Sequence, residues 1–135
     1  MLEQEDVARF DQPHLYTAPA RLPLNHWALA GNWSVAGHAA LLTEPGGRIA
    51  FQFHARDLNL VTGLASRGTS IAFRAYLDGQ SATESHGSDV HDDGIGVVGD
   101  QRTYQLIRQP GPIVERRFEI EFLAAGVETQ CFTFG

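Results

Sequence analysis

The sequence predicts an all-β domain, a jelly-roll β-sandwich of two antiparallel sheets with about nine short strands. Three observations carry this reading. Apolar residues recur with a period of two, as they do along a strand that rests one face on a core. Fourteen glycines and six prolines are scattered along the chain, which leaves no comfortable room for a helix of more than a few turns. Turn residues fall between the alternating segments, and short strands with one apolar face bury it by packing sheet on sheet. A jelly roll is preferred to an immunoglobulin-like arrangement.

The elements follow in order. Residues 1–23 lack periodicity and carry Pro13, Pro19 and Pro23, so they predict an extended lead-in or linker strapped along a sandwich domain at 24–135. Strand candidates lie at 27–35 and 39–42, and Glu44-Pro45-Gly46-Gly47 supplies the next turn. Ile49, Phe51 and Phe53 then alternate with Ala50, Gln52 and His54. A strand at 58–61 precedes Ile71, Phe73, Ala75 and Leu77, which alternate with Ala72, Arg74 and Tyr76. Asp78-Gly79 closes that strand, Asp93-Gly94 opens another at 95–98, and 104–107 follows. Gln109-Pro110-Gly111-Pro112 cannot continue a ladder, because its prolines lack the amide donor. Phe118, Ile120 and Phe122 alternate with Glu119 and Glu121, and Ala124-Ala125-Gly126 predicts a hairpin of 118–123 with 127–134.

Composition narrows the function classes. A chain of 135 residues is one domain, long enough to bury roughly two-thirds of its extended surface. A formal net charge of −6 argues against nucleic acid, which requires clustered Lys and Arg. No apolar run approaches the ~20 residues of a membrane helix, so no membrane insertion by this segment is expected. The first ten residues are acidic, unlike a signal peptide. The single cysteine, Cys131, excludes an internal disulfide, a zinc cluster and a Cys-x-x-Cys redox centre within the chain. On its apolar strand it reads as a small core residue.

The densest polar cluster is Asp89-Val90-His91-Asp92-Asp93-Gly94. As a calcium loop it would use Asp89 and Asp93, with Asp100 in the closing position. The fit is poor: His91 stands where an oxygen is expected, and Asp100 is shorter than a bidentate Glu. A transition-metal reading would combine His86, Asp89 and His91, which a loop permits without demanding. The plain reading of both is a solvated acidic turn, and no cofactor is expected. No Gly-x-Ser-x-Gly elbow or paired-carboxylate arrangement argues for an enzyme.

Aromatic and cationic residues point instead to binding. Trp27 and Trp33 fall on one face if their strand is unbroken, whereas a bulge at Gly31 would spoil that parity. Exposed indoles stack on the apolar faces of sugar rings while neighbouring polar groups bond the hydroxyls; the plain alternative makes both indoles core plugs. Arg56 and Asp57, with Arg74 and Tyr76, are further surface candidates. Tyr104, Gln105 and Arg108 form another polar-aromatic strand, where a buried Arg–Asp pair is the structural alternative.

Several segments occur in an order that resembles a known family. They are Trp27-Ala-Leu-Ala-Gly-Asn-Trp33, Phe53-His-Ala-Arg56-Asp57-Leu58, Phe73-Arg-Ala-Tyr-Leu77-Asp78-Gly79, His86-Gly87-x-Asp89, Tyr104-Gln-Leu-Ile-Arg108-Gln109 and Phe132-Thr-Phe-Gly135. Together they resemble the C-terminal, carbohydrate-binding-module-like domain of DipZ-type thioredoxin-family proteins, which are related to cytochrome c biogenesis. The resemblance covers residues 10–135 and implies a jelly roll, an extracytoplasmic setting and a thioredoxin-like domain in the same polypeptide or complex. It transfers no redox role, since Cys-x-x-Cys is absent, and no ligand set.

The leading expectation is therefore a non-catalytic accessory module that recognises a glycan or envelope partner through Trp27, Trp33, Arg56, Asp57, Tyr104 and Arg108. The rival is a structural module that packs on the thioredoxin-like domain or dimerises. A metal-dependent enzyme using His86, Asp89 and His91 is the third.

Overall fold

The computed structural model describes residues 11–134 apart from His38, Ala65 and Arg67. It contains eleven strands: β1 (His14–Tyr16), β2 (Trp27–Ala36), β3 (Ala39–Leu42), β4 (Arg48–Phe53), β5 (Asp57–Leu64), β6 (Ile71–Leu77), β7 (Gln80–Ser81), β8 (Ile95–Val98), β9 (Arg102–Arg108), β10 (Arg116–Phe122) and β11 (Val127–Phe134). No helix occurs among the described residues, and the strands form a jelly-roll-like β-sandwich. The two strands beyond the expected nine are short. β1 lies in the predicted lead-in and β7 forms the return of the Asp78-Gly79 turn. Residues 1–10 of that lead-in lie outside the described residues.

One sheet has β7 and β8 on the outer edge of β6, followed by β10, β4 and the first half of β2. The other runs β1, the second half of β2, β3, β11, β5 and β9. All pairings are antiparallel. β2 therefore belongs to both sheets, pairing Trp27–Ala30 with β4 and Trp33–Ala36 with β3. Gly31 makes the passage at φ 100°, a conformation that only glycine adopts without strain. A Cβ there would also lie 2.9 Å from the Gly47 Cα, so the two backbones meet at a distance no side chain allows.

The core fills the space between the sheets. Phe118, Ile120 and Phe122 of β10 face inward beside Phe73 of β6 and Phe53 of β4, and Leu58, Leu60, Leu106 and Ile107 close the layer opposite. Truncating such a side chain to Ala typically costs about 2–5 kcal/mol. The intervening residues of β10 face outward into an ion network. Arg48 donates to Glu119 at 3.1 Å and to Glu121 at 3.4 Å, Arg117 donates to Glu119 at 3.1 Å, and the Tyr76 hydroxyl donates to Glu121 at 3.1 Å. These contacts are part-buried, so they order the face more than exposed pairs would, while each contributes modestly to stability.

The expected hairpin of 118–123 with 127–134 does not form. β10 has both edges occupied by β4 and β6, while β11 pairs with β3 and β5 in the opposite sheet. The 123–126 turn is an arch between the sheets. Gly126 donates its amide to the Leu42 carbonyl at 2.9 Å, joining the arch to the other layer. The two strands bury their apolar faces against each other instead of sharing a ladder, which serves the same alternating pattern equally well.

Residues 82–94 close the sandwich along one side. Gly87 donates to Leu106 O at 2.8 Å, Asp89 to Gln105 O at 3.0 Å, and Arg108 donates back to Ser85 O at 2.8 Å, so the segment covers the outer edge of β9. The approach is close: a Cβ at Gly87 would lie 2.4 Å from the Gln105 carbonyl oxygen. Covering an edge removes the unpaired backbone groups that invite sheet-to-sheet association.

The passage at Gly31 gives a test. Gly31→Ala should lower stability by about 2–4 kcal/mol, through the left-handed φ and the clash with Gly47. Gly111→Ala, where an added Cβ meets nothing within 4 Å, should change it by less than about 0.5 kcal/mol. Urea unfolding of both variants measures the difference; equal midpoints would remove Gly31 as the corner of the fold.

Candidate functional site

The site is built where β2 begins. Asn25 sits at φ 66°, a left-handed turn that Asn tolerates, and its amide donates to the Gln52 carbonyl at 2.7 Å. Gln52 returns a bond to the His26 carbonyl at 3.0 Å, so the chain enters β2 pinned to the end of β4. Trp27 then pairs with Phe51 and keeps 57% of its surface exposed. Its indole stands beside an apolar cleft of about 310 Å³ between the sheets, whose walls include Leu29, Ile49, Phe51, Leu60 and Phe132. Asn25, Thr129, Gln130 and Cys131 supply the polar lining, and Cys131 is exposed. The sequence placed Cys131 in the core; the bulge between Thr129 and Cys131 shifts its register and turns it outward.

The cleft exists because neighbouring strands differ in length. β11 pairs with β3 only at Glu128 and Thr129, then bulges and continues along β5 to Phe134. β3 starts at Ala39, so beyond that point β11 has no partner on its cleft side. Phe51 bridges the gap, its ring stacked on Phe132 at 4.7 Å with planes 11° apart. Nothing in the alternation of 127–134 announces the bulge, so the sequence does not place Gln130 at the cleft.

The two tryptophans do not share a face. Trp33 has no exposed surface, packs edge-on to Phe122 at 6.2 Å, and donates its indole N–H to the Ala30 carbonyl at 2.9 Å. Gly31 is the reason: it carries the chain into the second sheet between the two rings. Tyr104 is likewise a core residue, 2% exposed, with its hydroxyl donating to Asp100 O at 2.7 Å and accepting from Gly99 N at 2.9 Å. Neither ring offers a face to a ligand.

Arg56, Asp57 and Arg108 do come together. Arg56 donates to Asp57 at 3.1 Å, Arg108 lies 3.9 Å from the other carboxylate oxygen, and that oxygen is buried with no hydrogen-bond partner. Asp57 pairs with Arg108 in the ladder, and Leu58 pairs with Phe134. The three polar residues thus stand at the β4–β5 end of the sandwich, the end where β4 finishes beside Trp27. Nearby, Gln109 is buried and satisfied, donating to Ala55 O at 2.9 Å and Val114 O at 3.2 Å while accepting from Arg116 at 3.3 Å. It holds the Pro110–Pro112 loop against the 54–56 connection, as buried amides with full partners do.

The acidic loop is arranged otherwise than a cation site. Asp89 accepts from both Arg102 guanidinium nitrogens, at 2.8 and 3.2 Å, and from the Gln105 amide at 2.7 Å. Arg102 also lies over the Tyr104 ring at 3.8 Å. Asp93 accepts the Ile95 amide at 3.0 Å in a local turn, and Asp100 serves Tyr104 with its backbone carbonyl. His86 Nε2 lies 3.0 Å from Asp92, while His91 lines a shallow surface depression with Asp92 and Asp93. Among the described residues, no three His, Cys, Asp or Glu side chains converge as a metal site would require.

These features define a class: a jelly-roll-like β-sandwich that presents an exposed indole beside an inter-sheet cleft. The chain belongs to the family of thioredoxin-like C-terminal domains, whose model matches residues 2–135. Comparison with curated proteins gives no match. Among solved structures, a family two carbohydrate esterase from Cellvibrio japonicus is similar with a TM-score of 0.58 and 15% identity, over 80% of this chain and 30% of that one. A family two carbohydrate esterase from Clostridium thermocellum, in complex with cellohexaose, is similar with a TM-score of 0.55 and 14% identity, over 73% of this chain and 27% of that one. The chain spans less than a third of either esterase, and the likeness is one of fold.

The Asp89–Arg102 contact gives a pH test. The Arg102 hydrogen bonds, which outweigh the cost of burial, hold the Asp89 carboxyl below its ordinary value, with a further contribution from the Gln105 amide. A lowered folded-state value stabilises the fold above about pH 4, and the gain is lost as pH falls through that lowered value. Asp89→Asn should therefore cost about 1 kcal/mol at neutral pH, and its gap from the parent should close in acid. Chemical denaturation across pH 2–7 reads this out; a gap independent of pH would remove the ion pair as its source.

Proposed function

We propose that the domain is a non-catalytic, extracytoplasmic accessory module attached to a thioredoxin-like domain, and that it recognises a glycan or related cell-envelope ligand. The DipZ-type arrangement is our reading of the family within which this module works. The exposure of Trp27 carries the proposal. A large aromatic left in water beside a cleft gives up burial that its neighbours Leu29 and Phe51 obtain. Its flat apolar face suits the C–H face of a sugar ring. Arg56 and Arg108, at the same end of the sandwich, would bond hydroxyl or acidic groups through their exposed guanidinium donors, with Asp57 between them as the anchor. The membership of a family described as thioredoxin-like C-terminal domains supports the attachment. The fold likeness to esterases, one bound to cellohexaose, supports a carbohydrate ligand.

A second reading is supported by the exposed apolar residues. Leu24, Trp27, Ile113, Val114 and Phe134 are all partly exposed, and the ladder places their segments toward one end of the sandwich. Such a grouping also suits docking on the thioredoxin-like domain.

A broad glycan array probed with the 135-residue chain, with calcium and again with chelator, separates the readings. Selective binding is expected, unchanged by chelator because the Asp89 carboxylate is already committed to Arg102. Trp27→Ala should weaken that binding about tenfold or more while shifting stability by less than about 1 kcal/mol. A blank array with the folded parent would transfer the proposal to docking.

A further inference from the structure

The cleft beside Trp27 runs along a strand edge as well as between the sheets. Its walls include Thr129, Gln130, Cys131 and Phe132, four consecutive residues of β11, and the consecutive pair Ala39 and Ala40 at the start of β3. Successive side chains of a strand point to opposite faces, and one bulge interrupts that order only once. A cavity that meets every residue in turn therefore lies against the side of the strand. The pairing of β11 agrees. On one side it is bound to β5 as far as Phe134, while on the other it is bound to β3 only at Glu128 and Thr129. Residues 130–134 thus have one edge with no strand partner among the described residues. Alternate residues of an antiparallel strand turn both N–H and C=O to the same edge, so this notch holds a short row of donors and acceptors.

Two further features suit the notch to an extended peptide. Across the cleft stand Trp27 and Leu29 of β2 and Ile49 of β4, an apolar wall for the inward side chains of an added strand. The volume of about 310 Å³ is roughly twice that of an engineered cavity that takes up benzene, which leaves room for about two such side chains. The second feature is charge. Leu58 pairs with Phe134, so the far end of the notch opens toward Asp57, Arg56 and Arg108, and both arginines are exposed. One carboxylate neutralises one guanidinium and leaves the other to attract an acid. Strands lie about 4.8 Å apart, which sets the Arg56 backbone roughly 10 Å from a strand laid on β11. An arginine and a glutamate extended toward each other span that gap.

We infer that an extended segment of a partner polypeptide adds to the free edge of β11, antiparallel to it. Its alternate apolar residues fill the cleft, and an acidic residue just before them meets Arg56 and Arg108. Main-chain pairing supplies the affinity of such a contact, and the alternating side chains supply its specificity. The chain's own residues 1–10 lack the required pattern: odd positions hold Glu3 and Glu5 and even positions hold Gln4 and Asp6, so either alternation turns an acid to the apolar wall. A second copy is disfavoured by charge, since two chains of net charge −6 repel. An edge of five residues, about 17 Å long, is also a contact on the scale of a peptide. The site shares the Trp27 rim with the proposed glycan platform but requires no sugar.

The test titrates the 135-residue chain with N-acetylated, C-amidated Glu-Thr-Val-Thr-Val-Thr-Val, read by amide NMR and hydrogen exchange. The peptide should give saturable shifts at residues 130–134 and at Leu29, and slow exchange of the free-edge amides by about tenfold or more. Methylating its three valine amides, or instead its three threonine amides, blocks opposite edges of the peptide. One set should weaken binding by about tenfold or more, and the other should leave it within about twofold. Glutamine in place of the peptide's glutamate should weaken binding several-fold, as should Arg56→Ala combined with Arg108→Ala, and the two losses should not add. Equal binding by both methylated peptides, or by Val-Val-Val-Thr-Thr-Thr-Glu, would overturn the inference. Free-edge amides already protected in the chain alone would overturn it in favour of residues 1–10, and protection that rises with protein concentration would overturn it in favour of a second copy. Glycan binding without any peptide response would overturn it and leave the platform standing. Peptide binding beside a blank glycan array would uphold it and remove the platform.

Discussion

A single left-handed residue governs the rest of the architecture. Gly31 lets one strand serve two sheets, and it does so only because its backbone meets that of Gly47 without an intervening Cβ. Before it, β2 is a partner of β4; after it, β2 is a partner of β3. The corner fixes which residues of β2 face the core in each half. The local cost of an unusual φ is small for glycine, while the packing that rests on it includes Trp33 and Phe122.

The alternating pattern made the strands legible and left their partners open. Phe118, Ile120 and Phe122 read as a one-faced strand from residue order alone, and the structure buries all three. The same order could not distinguish a hairpin from an arch, because both place the alternate residues of β10 and β11 on a core. Asp78-Gly79 was more informative. Both residues take positive φ, at 53° and 83°, as the tightest hairpin turns demand. Trp27 and Trp33 had the same parity, yet a glycine between them decided their fates, and its φ is not written in the spacing. The bulge in β11 was invisible for a similar reason: Thr129, Gln130 and Cys131 carry no turn signal.

The polar residues divide between two kinds of work. Around Asp89 the carboxylate, guanidinium and backbone amides satisfy one another, and the result is a loop laid over the edge of β9. Around Asp57 the accounts do not close in the same way, since one oxygen has arginine near it but no hydrogen bond. Sequence alone already preferred Arg56 and Asp57 to the acidic loop as ligand-binding residues, although saturation of their valences is not visible in a chain. The less crowded cluster stands at the end of the sandwich that also holds the exposed indole, and its two exposed arginines bring polar groups to that uncovered ring's end of the fold.

The separation of the two tryptophans has a practical corollary. With one indole sealed in the interior and the other largely in water, the molecule carries two optical reporters that answer different questions. Emission from Trp33 tracks whether the two layers remain closed, since only unfolding admits solvent to it. Emission from Trp27 tracks events at the cleft mouth in the intact protein, and a soluble quencher reaches it first. Global opening and local occupancy can thus be followed in one cuvette without any added dye.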